Sequence, residues 1–236
     1  MNINMRPSPN RTQGRQGQIP DFIVCHITGG SFQSAINTIL NPANQVSYHY
    51  VVARDGAITQ AVDIRDTAWA NGTTNSGDSR DNRHSTIPEI RNRRRNANQF
   101  TVSIGFADST SGELSPPQLA SAIELIWHIR NEVKSLFGLA IPMNRVSIIG
   151  HYQVTPITRP NCPGPRFPFA EIIKQLQAKE APQTILPPVV STPSSWAAEA
   201  WEWGITQGLI DGTNPQGIPT REQMITLLYR YHKLTA

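Results

Sequence analysis

The segment VSIIGHYQVTPITRPNCPG, residues 146–164, carries His151 and Cys162 with ten residues between them. Pro156, Pro160 and Pro163, with Pro165 just beyond, stiffen the connecting turn, because each proline ring fixes its own φ. An imidazole leaving a β-rich run and a thiolate on a braced loop suit one metal ion. Two ligands do not make a site, so the rest of the chain must supply a third.

Working outward, 145–149 reads as a strand leading into His151, and 169–177 as a closing helix. Upstream, Ser115-Pro116-Pro117 opens a long helix with an apolar stripe from Leu119 to Phe137, ended by Gly138. FTVSIGFA (100–107) and DFIVCHIT (21–28) are short, apolar, β-branched runs and read as buried strands. After Gly29-Gly30, Ser31 caps a short helix that Asn41-Pro42 stops. VSYHYVVARDGAITQAVD is a hairpin with Asp55-Gly56 as its turn. Residues 1–20 read as an extended polar lead-in, and 69–98 as a long loop rich in Asn, Ser, Gly, Asp and Arg. Strands alternate with helices while one pair is a hairpin, which predicts an α/β fold with a central mixed sheet flanked by helices.

Two histidines qualify as the third ligand, His26 and His49. In a strand, Val24, His26 and Thr28 share one face and Cys25 takes the other. The step into Gly29-Gly30 puts His26 at an open rim, whereas His49 lies between Tyr48 and Tyr50 within the hairpin. His26, His151 and Cys162 then form a zinc site with three protein ligands and a fourth position for water, whose pKa zinc lowers to about 7.

The totals narrow the function classes. No apolar run reaches the roughly 18 residues that span a membrane, and the N-terminus lacks the apolar core of a signal peptide. Synthesis in the cytosol is therefore expected, with an outside target reached by another route. Two cysteines, Cys25 and Cys162, are too few for a disulfide framework. Residues 1–193 carry 18 Lys/Arg against 13 Asp/Glu, and 194–236 carry 3 against 4. The cluster Arg91, Arg93, Arg94 and Arg95 has no aromatic stacking partners around it, which argues against nucleic acid. A mildly basic face suits an anionic wall polymer, or is simply a solvated surface.

In this order, the blocks IVCHIT, VSYHYVVARDG, TAWANG, VSIGFA and GHYQVTPITRPNCPG resemble the zinc-dependent N-acetylmuramoyl-L-alanine amidases of the type 2 class. That class includes phage endolysins and is related to the peptidoglycan recognition proteins. The resemblance covers roughly residues 18–178 and implies His26, His151 and Cys162 as zinc ligands. It also implies a catalytic role for Tyr48. Trp69 and Asn71 are candidates for the floor of a glycan groove. Two positions depart from the pattern: Ala107 stands where many members have Glu, and Arg159 is the nearest cation where many have Lys before the Cys ligand. Arginine is not a proton donor at neutral pH, but it can stabilise an oxyanion by charge and hydrogen bonds.

KEAPQTILPPVVSTPS reads as a Pro-rich linker over 179–194, separating a catalytic domain (1–178) from a helical module (195–236). The module, with helices at 195–206 and after Pro219-Thr220, resembles a single S-layer-homology-like repeat and implies wall-polymer binding. A helical hairpin used for packing or oligomerisation is the alternative. Together these features point to a bacteriolytic peptidoglycan hydrolase of phage-endolysin type, acting at the cell wall after release. The rivals are a non-catalytic peptidoglycan-binding protein, suggested by Ala107, and a cysteine hydrolase using Cys25, which strand alternation opposes.

Overall fold

The structure, a computed structural model, describes residues 1–71, 82–180, 192–217 and 219–235. It divides into two compact units, Met1–Ala181 and Pro182–Ala236. Most of the linker expected at 179–194 falls on residues 181–191, outside the described residues.

In the first unit, six of the described strands form one sheet. They are β1 (Ile3–Met5), β3 (Phe22–Ile27), β4 (Tyr50–Val52), β5 (Ile58–Gln60), β7 (Thr101–Phe106) and β8 (Ile148–Gly150), ordered β1-β5-β4-β7-β3-β8. All neighbours run parallel except the β4–β5 hairpin, so the sheet is mixed as the alternation implied. β3 lies between β7 and β8, and its run FIVCHI is apolar on both faces, as a strand covered on both sides must be. β2 (Arg11–Thr12) and β6 (Thr67–Ala68) form a separate antiparallel pair.

Ile23 and Cys25 point into the larger core, with Val102, Ile104 and Phe106. Helices α3 (Pro116–Phe137) and α5 (Phe169–Glu180) cover this face with residues such as Ile126, Ile129 and Ile172. Each fully buried Ile contributes roughly 1.5–3 kcal/mol relative to an exposed one. Phe22 and Val24 face the other way and pack with Ile149, Ile90 and Phe100. Helix α1 (Phe32–Leu40) covers Val51 and Ala107 on a third cluster. The caps are as the sequence implied: Ser31 accepts from Ser34 N at 3.2 Å, and Ser115 and Gln118 cap α3 reciprocally.

Four expectations need correction. Residues 1–20 are not a bare lead-in, since β1 and β2 lie within them. Arg15 is 4% exposed there and donates to the carbonyls of Ile64 at 2.5 Å and of Gln99 and Thr101 at 3.1 Å. Burial lowers its pKa to about 10, and the three carbonyls offset that desolvation. The loop at 69–98 contains a short helix, α2 (Pro88–Arg93), whose Ile90 enters the core; its residues 72–81 lie outside those described. The hairpin strand starts at Tyr50, so Tyr48 and His49 precede it. The strand expected at 145–149 is displaced to Ile148–Gly150, and His151 opens a helical turn, α4 (His151–Val154).

In the second unit, α6 (Ala198–Thr206) and α7 (Arg221–Thr235) are the described α-helices. Thr220 and Gln223 cap α7 reciprocally, at 2.7 and 3.2 Å. Trp196 is 88% exposed and none of the described residues of α7 is buried, so this unit leaves large apolar side chains such as Trp203, Met224, Ile225 and Leu228 exposed. Among the described residues, no helix is long and apolar enough to cross a membrane.

Candidate metal centre

β3 and β8 lie side by side with Cys25 opposite Gly150, so the next residue of each, His26 and His151, emerges at the same sheet edge. Their Nδ1 atoms stand 3.0 Å apart, with ring centroids at 4.4 Å. The donor atoms of His26, His151 and Cys162 all lie within 4.8 Å of one another. Zinc bonds of about 2.0–2.3 Å in a tetrahedral arrangement place neighbouring ligand atoms roughly 3.3–3.6 Å apart. The three donors fit such a metal with small adjustments. His49 does not join them: it is fully buried and its Nδ1 accepts the backbone N–H of Ser103 at 3.0 Å.

Cys162 is held by its loop. Its carbonyl accepts from Tyr152 N at 2.8 Å and its own N–H donates to Arg159 O at 3.3 Å. Two residues on, Gly164 adopts φ +116°, where a Cβ would meet the Ser111 carbonyl. Gly112 presses back with φ +87°, and a Cβ there would lie 2.6 Å from Pro163 O. The turn around Ser111 thus clamps the ligand loop, and only glycine permits both backbones to approach. Sequence reading missed this clamp; its one signal was the glycine after the Cys-Pro pair.

Burial, and then the neighbouring His151, hold the His26 pKa well below its ordinary value. Burial and the Arg159 charge take His151 down to about 3. Both rings are neutral at physiological pH, the form that ligates a metal. Burial raises the Cys162 thiol, a shift that a bound cation reverses, since a coordinating thiol is deprotonated outright. Cys25 is fully buried on the opposite face with its thiol pushed up to about 12, which makes it inert packing rather than a nucleophile.

The three donors sit in a groove of about 1170 Å³. Tyr48 lines it with its ring 5.2 Å from that of His26, and burial raises its phenol so that it stays protonated. Gly105 makes room for that ring, since a Cβ there would lie 3.0 Å from Tyr48 Cδ2. Arg159 is exposed at the groove edge and is the formally charged side chain among the described lining residues. Thr12, Gln16, Gln45, Asn96 and Gln99 line much of the remainder. Trp69 is half-buried in the wall with its Nε1 donating to Thr12 Oγ1 at 2.9 Å. Asn71 does not floor the groove. It is 0% exposed, behind the wall, and donates from Nδ2 to Thr101 Oγ1 at 2.5 Å and Ser103 Oγ at 3.2 Å. A polar residue two positions after a groove-lining Trp gave no sign that the chain turns inward there. Ala107 is buried in the core under α1.

Residues 15–165 match the family model described as N-acetylmuramoyl-L-alanine amidase. No curated protein matches the chain. Among solved structures, a selenomethionine AmpD derivative is 20% identical, with 74% of this chain and 93% of that one covered and a TM-score of 0.50. A mutant of PlyL is 17% identical, with 75% and 99% covered and a TM-score of 0.53. The N-acetylmuramoyl-L-alanine amidase LysC from Clostridium intestinale URNW is 20% identical, with 75% and 98% covered and a TM-score of 0.50. At such identities these likenesses speak to the shared fold.

Proposed function

Because the chain belongs to the N-acetylmuramoyl-L-alanine amidase family, we propose that it hydrolyses the amide between the lactyl group of N-acetylmuramic acid and L-alanine, using zinc held by His26, His151 and Cys162. The convergence of these three donors at one end of a polar groove carries the proposal. When bound, zinc supplies a Lewis acid and an acidified water at neutral pH. The chain's own residues do the rest. The two neutral imidazoles and the loop-clamped thiol present their donors from one side. Tyr48 keeps its proton and can donate to the carbonyl oxygen as negative charge builds there. Arg159 adds a positive charge in the same groove, near enough to act on His151 and Cys162. Neutral amides and the Trp69 ring suit a substrate of sugar hydroxyls and peptide groups, the amides by hydrogen-bonding it without desolvating a charge and the ring by packing.

Digested cell wall analysed by mass spectrometry tests the assignment, with metal content measured on the same sample. A new free lactyl carboxylate, paired in equal amount with a free L-alanine amine, is the expected result. Cleavage at another bond would assign a different hydrolase. Retention on the wall with no new ends would favour the second reading, a peptidoglycan-binding protein without activity, suggested by Ala107 standing where many members of the class carry Glu.

The reading extends to an endolysin of phage type whose residues 195–236 form a wall-binding module joined by a linker at 179–194. The ligand-bearing residues all precede 163, and the second unit exposes Trp196, Trp203 and most of α7. Such a surface suits a secondary wall polymer. Truncation after Lys179 should leave hydrolysis of small soluble muropeptides near the intact level and reduce activity on whole walls, because a second attachment raises local concentration without altering the chemistry. The ratio of the two activities is the measurement. An equal fall on both substrates would assign the second unit to supporting the fold instead.

A further inference from the structure

Asn71 occupies an unusual place behind the metal centre. The Thr101 hydroxyl spends its proton on the Ala97 carbonyl at 2.8 Å, so toward Asn71 it offers only lone pairs. The Asn71 atom facing it at 2.5 Å must therefore be the donor, Nδ2, which also reaches Ser103 Oγ at 3.2 Å. That settles which way the amide points. Its oxygen is turned to the other side, where it is buried and accepts nothing with ordinary hydrogen-bond geometry. Among the described residues, the metal centre contributes one matching orphan, His26 Nε2, likewise buried and unpartnered. Two buried polar atoms left unmatched are costly, and each supplies what the other lacks. The backbone of Asn71 is fixed as firmly, its N–H donating to Asn98 Oδ1 at 2.6 Å.

We propose that Asn71 is the positioning residue of the metal centre: its amide oxygen takes the Nε2 proton of His26 and so leaves the Nδ1 lone pair, which faces His151 Nδ1 at 3.0 Å, for the metal. An imidazole bearing its proton on Nδ1 could not ligate from that atom, so the choice of tautomer decides whether the pair of Nδ1 atoms is usable. The Asn71 side chain lies beside the His26 ring and its backbone beside that of His151, so one residue backs both histidines. Partners of this kind orient metal ligands and raise their basicity. The order of the contacts is Ala97 carbonyl, Thr101 hydroxyl, Asn71 amide, His26 ring. Each polarity is set by the one before it.

This inference rests on the metal reading above, and the test separates the two. Zinc affinity is measured by competition with a chromogenic chelator on the full chain. Wild type should bind one zinc, and Asn71→Ala should bind it about 10–100-fold more weakly. Asn71→Asp keeps an acceptor of the same shape, and the Ser103 hydroxyl can rotate to donate to it. Its affinity should stay within about threefold of wild type. A loss below tenfold for the alanine variant overturns the proposal, and so does an aspartate variant that binds as weakly as alanine, which would mark a merely structural role. If neither variant folds, nitrogen NMR of histidine-labelled, zinc-loaded wild type decides. A slowly exchanging His26 Nε2–H supports the assignment; a metal on Nε2, or a freely exchanging proton there, overturns it. A wild type that binds no zinc overturns the metal reading and this inference together.

Discussion

Stripping the protein of divalent metal should abolish wall hydrolysis, and adding back zinc should restore it. The Lewis-acid contribution of a bound metal is several kcal/mol, and each 1.4 kcal/mol is about a decade in rate, so a loss of more than about 10³-fold is expected. His26→Ala, His151→Ala and Cys162→Ser should each reproduce the loss together with a fall in bound zinc, because each removes one of three converging donors. Cys25→Ser is the control. Its thiol points into the core beneath α3 on the opposite face of β3, so zinc content should be unchanged although stability falls. Full activity in a verified metal-free sample would sink the proposed chemistry, whatever the zinc affinity of the loaded protein.

Tyr48→Phe and Arg159→Ala should each lower turnover by roughly 10²–10³, about 2.7–4 kcal/mol, with zinc still bound. Removing the Tyr48 hydroxyl leaves the ring packed against His26 and over Gly105, so the metal site keeps its wall while the donor is lost. Arg159 is exposed and its side chain donates to the adjacent Thr158 carbonyl, so its removal disturbs little else. The decisive comparison is kcat against KM. A fall in kcat and kcat/KM together marks stabilisation confined to the transition state, whereas a rise in KM alone would make these residues substrate holders. Near-wild-type rates for both would leave the oxyanion without its proposed partners. Removing the Arg159 charge also relieves its depression of the His151 pKa, so the two rate profiles are best compared at a pH where both rings are neutral.

Much of this was legible in order along the chain. The run FIVCHI announces a strand covered on both faces, and its alternation alone separates His26 from Cys25. Asp55-Gly56 marks the hairpin turn, with Gly56 at φ +88°. Ser115, Pro116 and Gly138 bracket the long helix to within a residue. These are short-range rules: side-chain period, caps and turn residues act over a few neighbours, so the sequence by itself determined the main strands and helices and the mixed sheet, though not β1, β2 or α2, and it narrowed the candidate donors to a few side chains. What it could not determine was the set of partners each polar residue finds across long separations. A polar N-terminal segment reads as solvent-facing until Arg15 is seen reaching three carbonyls from distant loops. Asn71 reads as groove lining until Thr101 and Ser103, thirty residues later, draw its amide inward. Gly164 reads as one more turn glycine until Ser111 closes against it. Neither periodicity nor composition encodes such meetings, because buried hydrogen bonds and close backbone approaches depend on where the packed sheet and helices bring remote segments together. Only the tertiary structure decided them.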